Sequence, residues 1–198
     1  MEEIVLKSPT LEEMYFREKL LSDPETMSYN HAYGGTINFP KEQWEEWYAY
    51  WMENVQGKRF YRYLYNKILE EYIGEVYYRY DEKMDTYCCG ILILDKWRNK
   101  GYGTEGIRLL CRSAKENGIK EFCDNIAIDN QSVNLFKKLG FIEKFRNEEY
   151  IRVAYDKAIR LQGLIEDLFS FTKTDSTELR LHLEEIDVVK LVEQLADE

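Results

Sequence analysis

The segment that most limits what this chain can fold into is Arg98-Asn99-Lys100-Gly101-Tyr102-Gly103-Thr104. An apolar run, Ile91-Leu92-Ile93-Leu94, leads into it, and an amphipathic pattern from Thr104 to Asn117, stopped by Gly118, leads out. Strand, tight turn and helix must therefore follow in immediate succession. The glycines let the backbone turn sharply, with positive φ where the path requires it. Successive N–H groups then converge at a helix N-terminus, where the dipole favours an anion. Arg98 and Lys100 add positive charge beside it. The arrangement suits a pyrophosphate, but it is neither GxxxxGK(S/T) nor GxGxxG, the two standard nucleotide fingerprints. Taken alone it also fits a plain basic turn before a helix.

The remaining pattern fixes the setting of that turn. Thr10 before Leu11-Glu12-Glu13 reads as a capping box, opening a helix that Asp23-Pro24 ends. A loop from Tyr29 to Pro40 leads to a helix rich in Glu and Trp, reaching Asn54. Strand-like runs cover Phe60–Tyr65, Tyr72–Tyr80 and Tyr87–Leu94, the last two joined by a polar hairpin turn. Beyond the first helix after the turn come a strand over Glu121–Ile128, a helix start at Asp129-Asn130-Gln131-Ser132 and a helix stop at Gly140. Phe141–Lys144 and Tyr150–Ala154 form a last hairpin. The expected fold class is α/β, with one mostly antiparallel central sheet and flanking helices.

Composition narrows the functional classes. The chain has 198 residues and a net charge of -10, so binding to a nucleic-acid backbone is not expected. A cationic partner suits it better. No apolar run is long enough to span a membrane, and Met1-Glu2-Glu3 lacks a signal-peptide core. Cys88, Cys89, Cys111 and Cys123 show no CxxC spacing and read as reduced thiols, with no metal site, in a cytoplasmic protein.

Arg98-x-x-Gly-x-Gly after a strand resembles the acetyl-coenzyme A signature of the GCN5-related N-acetyltransferase (GNAT) superfamily. The run from Ala127 through Asn130, Ser132 and Lys137 to Gly140-Phe141 resembles that family's second signature. The two occur in the family's order, and the likeness spans roughly residues 1–155, assigning a GNAT domain to 1–153. It implies acetyl-CoA as co-substrate. Arg98, Asn99, Lys100, Gly101, Tyr102, Gly103 and Thr104 would hold the pyrophosphate, Ile93 and Leu94 the pantetheine arm through their backbones, and Asn130 the same arm from the neighbouring strand. Those two strands are expected to splay around the thioester.

The same likeness implies transfer of acetyl directly to a primary amine in a ternary complex. Many family members place an acidic Tyr on the second-signature helix; Phe136 stands there instead. The phenols of Tyr102 and Tyr87 are no more than available substitutes. Glu75, after Gly74 on a central strand, is the leading candidate base, its plain reading being a solvated strand carboxylate. Tyr29, His31, Tyr33 and Glu45 are the acceptor candidates, since carboxylates and aromatic faces suit a cationic amine such as a polyamine, an aminoglycoside-like antibiotic or a peptide terminus. Trp44, Trp47 and Trp51 share one helical face and read as sheet packing. A non-catalytic acyl-CoA sensor is the alternative from another class.

From Ala154 the pattern changes. Asp156–Lys173 resembles the second dimerisation helix of bacterial sensor histidine kinases, and Glu178–Asp197 the start of their ATP-binding domain. No phosphoacceptor segment precedes that helix, and no ATP-binding boxes follow. Residues 154–198 are therefore expected to form a kinase-derived tail without kinase activity. Its apolar stripe must be covered by the body or by a homodimer. A signalling role through that dimer is the third reading.

Overall fold

A computed structural model describes residues 3–53, 55–147 and 150–155. The expected helical tail, its kinase likeness and its dimer face lie outside these residues. The elements, in chain order, are β1 (Ile4–Lys7), α1 (Tyr15–Ser22), α2 (Trp44–Met52), β2 (Arg59–Asn66), β3 (Glu71–Asp81), β4 (Thr86–Ile93), α3 (Tyr102–Glu116), β5 (Phe122–Ala127), α4 (Ser132–Lys138), β6 (Ile142–Arg146) and β7 (Tyr150–Tyr155). Short 3-10 turns precede α1 and α2 and occupy Ser28–Tyr33 and Asp95–Trp97. β1 was not expected: a four-residue edge strand is too short to show a period. β7 continues through Tyr155, two residues into the expected tail.

Seven strands form one sheet in the order β1-β2-β3-β4-β5-β7-β6. Every neighbour pair is antiparallel except β4 and β5, which the α3 crossover makes parallel. That pair holds at only two positions, Tyr87↔Phe122 and Cys88↔Cys123. Beyond them the strands part, as the resemblance led us to expect.

The sheet is covered on both faces. On one, α3 contributes Ile107, Leu110 and Ala114, spaced to form a single stripe, and α4 contributes Val133 and Phe136. Both helices stop in the same way. At Gly118 (φ +76°) the chain turns left-handed, and the Ile119 N–H returns to the Ala114 carbonyl; at Gly140 (φ +85°) the Phe141 N–H returns to that of Phe136. The other face is aromatic. Phe16, Leu20, Phe39 and Trp44 pack on Tyr61, Tyr63, Leu92 and Leu94. Trp47 meets Tyr61 edge-on at 4.7 Å, and Trp51 meets Tyr77 at 5.3 Å. The Trp stripe of α2 is thus packing, as its spacing indicated. Half of the expected capping box is present, the Thr10 N–H donating to Glu13 Oε2 at 2.8 Å.

Candidate active site

The parting of β4 from β5 exposes backbone. The Leu94 N–H donates to the Ile73 carbonyl at 3.0 Å, which fixes the alternation along β4. Leu92 and Leu94 direct their polar groups to β3, whereas Ile91 and Ile93 direct theirs to the side from which β5 has withdrawn. The Ile93 carbonyl accepts from Arg98 Nε at 3.2 Å. Ile93 therefore keeps an N–H in the gap, while the Leu94 N–H, expected to face a ligand, is spent inside the sheet.

The glycine turn continues this edge. Asn99 (φ +60°) and Gly101 (φ +86°) both adopt left-handed conformations, and Gly101 caps α3. From Lys100 to Thr104 no backbone N–H has an acceptor within the described residues. A row of orphaned donors at a helix N-terminus is a fitting cradle for a pyrophosphate. Gly103 has a second duty: a Cβ there would lie 3.1 Å from Leu135 of α4, so glycine lets the two helices approach.

The side chains of the turn behave differently from the expectation. Arg98 reaches back to the Ile93, Glu25 and Thr26 carbonyls and lies 3.5 Å from Asp95. Its guanidinium staples the loop to the end of β4 rather than extending into the cradle. Lys100 Nζ sits 4.5 Å from the Trp97 ring, exposed. The Tyr102 phenol accepts from Asn66 Nδ2 at 3.2 Å. Asn130 Oδ1 accepts the Ser132 N–H at 2.9 Å in the turn that leads into α4; its Nδ2 has no partner among the described residues.

On the aromatic face, a cluster assembles from α1, β2 and β3. Glu75 is 2% exposed. One oxygen pairs with Arg17 and the other accepts from the Tyr61 hydroxyl. Burial opposes the Arg17 charge, but Glu75 and then Tyr61 outweigh it and hold the guanidinium above its ordinary range. The Trp47 ring lies 4.4 Å from that guanidinium. Burial, then the Glu75 charge, push the Tyr61 phenol well up. Both Glu75 oxygens are thus engaged by donors: the strand carboxylate is not solvated but sits in a buried ion pair.

Two further groups escaped the sequence reading. Tyr77 lies opposite Gly90 across β3 and β4, and a Cβ on Gly90 would come within 2.5 Å of the Tyr77 ring. Burial, then Asp124 and Glu75, raise this phenol. Asp124 is the first residue of β5 beyond the last β4 pair and is half-buried. Strand register, which the sequence does not display, is the only signal that unites them.

The acceptor candidates divide. The Tyr29 phenol, on a residue 38% exposed, is raised by burial and then by the Glu75 charge, with Asp124 also contributing. His31 lies farther out, with Nε2 3.4 Å from Asp129 Oδ2, beyond the end of β5. Tyr33 closes the same 3-10 turn. Glu45 stands on the exposed side of α2, without an ion-pair partner among the described residues. Phe136, 1% exposed, packs edge-on against Phe141 at 4.8 Å, in the core under α4. Tyr87 donates outward to the Gly57 carbonyl at 3.4 Å.

No curated protein matches this chain. Solved structures do, at identities that show the fold. A spermidine N-acetyltransferase from Vibrio cholerae, in complex with CoA and spermine, superposes with a TM-score of 0.66 at 18% identity, covering 81% of this chain and 99% of that one. A GNAT-family acetyltransferase from Bacillus anthracis gives 0.61 at 16%, covering 79% and 96%. A domain from Methanocaldococcus jannaschii gives 0.60 at 23%, covering 77% and 97%. The sequence profile described as acetyltransferase (GNAT) domain matches residues 4–142. With the splayed strands and the orphaned N–H row, that match makes the chain a member of the GNAT acetyltransferase family.

Proposed function

We propose that this chain acetylates a primary amine of a small polycationic acceptor, with linear polyamines the leading class. The observation that carries the reading is the meeting of two surfaces at one gap. A backbone edge with orphaned N–H donors lies on one side. An aromatic wall with Tyr61, Tyr77 and Glu75, and Tyr29 beside it, lies on the other. Bound acetyl-CoA supplies an activated acetyl thioester. The N–H groups of residues 100–104 hold its pyrophosphate, and the Ile91 and Ile93 backbones hold its arm. An Ile93 N–H in the gap is placed to donate to a carbonyl oxygen as charge develops there. Phenols and carboxylates draw an ammonium group through charge and cation–π contacts. Transfer is direct: Cys89 is buried, and burial, then Asp124, keep its thiol protonated. A structural relative from Vibrio cholerae, crystallised with CoA and spermine, fits this acceptor class.

Thiol release from acetyl-CoA is the test, across spermidine, spermine, aminoglycosides and basic peptides. Release with spermidine and spermine above the other amines is the expected result. Release confined to aminoglycosides or peptides would replace the acceptor class. Tight acetyl-CoA binding without release to any amine would make the chain an acyl-CoA-binding module, a reading that fits the absence of a phenol at Phe136.

A further inference from the structure

We propose that Cys88 and Cys123 are a reversible disulfide site at the closed end of the gap, oxidised by low-molecular-weight disulfides. The inference does not depend on the acetyl-transfer reading.

Geometry carries it. Cys88↔Cys123 is the last β4–β5 pair, and the two Sγ atoms lie 4.0 Å apart. Cys89 and Ile93 of β4, with Phe122 and Ile126 of β5, enter the core under α3 and α4. Alternation therefore sends Cys88 and Cys123 together to the opposite face, where Leu92 also packs. Paired strands run about 4.8 Å apart, inside the range of roughly 4.4–6.8 Å that a disulfide needs between Cα atoms. Closing the sulfurs to about 2.05 Å takes a rotation of the two side chains. The ladder also ends here, so no later β4–β5 pair has to move with them.

The two thiols differ in the way exchange requires. Cys88 is half-buried, with surface left for a small reagent, whereas Cys123 is buried. The Cys123 thiol donates to Cys88 and lowers it, against burial and Asp81; Arg79, its register partner on β3, and Arg152 of β7 act in the same direction as Cys123. Cys123 is raised by that same hydrogen bond and then by burial, so it keeps its proton. Cys88 is thus the attacking sulfur and Cys123 the resolving one. Cys89 and Cys111 lie on the other face, with no sulfur–sulfur hydrogen bond between them among the described residues.

Glutathione disulfide represents the oxidant class. The Cys88 thiolate attacks one of its sulfurs, forming a mixed disulfide and releasing one glutathione thiolate. Cys123 gives up its proton and attacks Cys88 Sγ, and the second glutathione thiolate leaves. The protein loses two thiol hydrogens and two electrons, and one glutathione disulfide becomes two glutathiones.

Intact mass and thiol titration of the folded full chain test this. With glutathione disulfide, the wild type should lose two of its four thiols and two hydrogens in mass, carry no adduct, and regain all four thiols with dithiothreitol. Cys123→Ser should instead hold one glutathione as a stable mixed disulfide. Cys88→Ser should stay unmodified over the time in which the wild type is fully oxidised, and Cys111→Ser should oxidise as the wild type does. A wild type that keeps its four thiols, or stops at the adduct, overturns the proposal. So does an internal disulfide that still forms in Cys88→Ser or Cys123→Ser, since the bond then lies elsewhere. The wild-type measurements need no substitution, so a variant that folds poorly does not blunt them. Acetyl transfer to amines, present or absent, bears on none of these readouts.

Discussion

The glycine turn and the aromatic face meet at one gap but are built on opposite plans. The turn offers backbone: N–H groups from residues 100–104, arranged by two left-handed residues and a helix start. Its charged side chains are peripheral, Arg98 spent as a staple and Lys100 lying by Trp97. The aromatic face offers side chains, each held by another. Arg17 lies against Trp47 and Glu75, and Glu75 joins Tyr61. A backbone site tolerates change in side chains but not in torsion. A side-chain site tolerates small shifts of torsion but not loss of one partner.

The difference predicts where each region breaks. The largest effect belongs to Glu75→Ala, which leaves the Arg17 charge buried without its counter-ion. With side-chain exposures of 3% and 16%, solvent relieves little of that cost. Chemical denaturation should show a loss of about 3–5 kcal/mol. Coenzyme affinity of the folded fraction should stay unchanged, and a large drop would mean the two regions are not separable. Gly101→Val comes next. A β-branched residue at φ +86° must move the turn. Calorimetry should record acetyl-CoA affinity falling about a hundredfold, roughly 2.7 kcal/mol, with the fold intact. Wild-type affinity would dismiss the N–H cradle.

Asp124→Asn sharpens the contrast from the other side. The folded carboxyl titrates near 7, above its unfolded value, so the native state holds the proton more tightly. Wild-type stability therefore falls as pH rises from about 4 to 7, and the asparagine variant escapes that loss. A rise from about 4 to about 7 corresponds to about 4 kcal/mol, and the partial exposure of Asp124 roughly halves that, so at pH 8 the variant should be the more stable protein by about 2 kcal/mol, the two converging near pH 4. Equal melting curves at both pH values would mean that Asp124 is well solvated. The smallest effect is that of Lys100→Ala. An exposed cation beside a backbone cradle contributes about 0.5 kcal/mol, so coenzyme affinity should weaken two- to threefold at low salt and hardly at all at high salt. A loss beyond tenfold would give that side chain a direct phosphate contact.

The same contrast explains what could be read from the sequence. Arg98, Gly101 and Gly103 are contiguous, so their spacing displays the cradle. Gly118 and the Asn130–Ser132 start are equally local, and both behave as their residue types require. Arg17, Tyr61, Glu75, Tyr77 and Asp124 are spread over four elements and become neighbours only through register. Glu75 was recognisable as a central carboxylate; that Arg17 would occupy it was not. Leu94 shows the limit at one residue: it lies just past the end of β4, and the parity of the β3–β4 ladder turns its N–H inward, to the Ile73 carbonyl. Gly74 shows the opposite case, since a Cβ there would run into the Leu92 carbonyl, a closeness that a glycine in a strand hints at.

The two-pair seam between β4 and β5 has a consequence for how the molecule comes apart. Strands β1 to β4 form one continuous ladder, and β5, β7 and β6 form another. Cooperative opening follows ladders, so each block can lose its amide protection as a unit while the other keeps it. The smaller block has α4 for cover and an exposed outer strand in β6. It is the natural place for the first subglobal unfolding, and a ligand lying along both edges would weld the blocks into one.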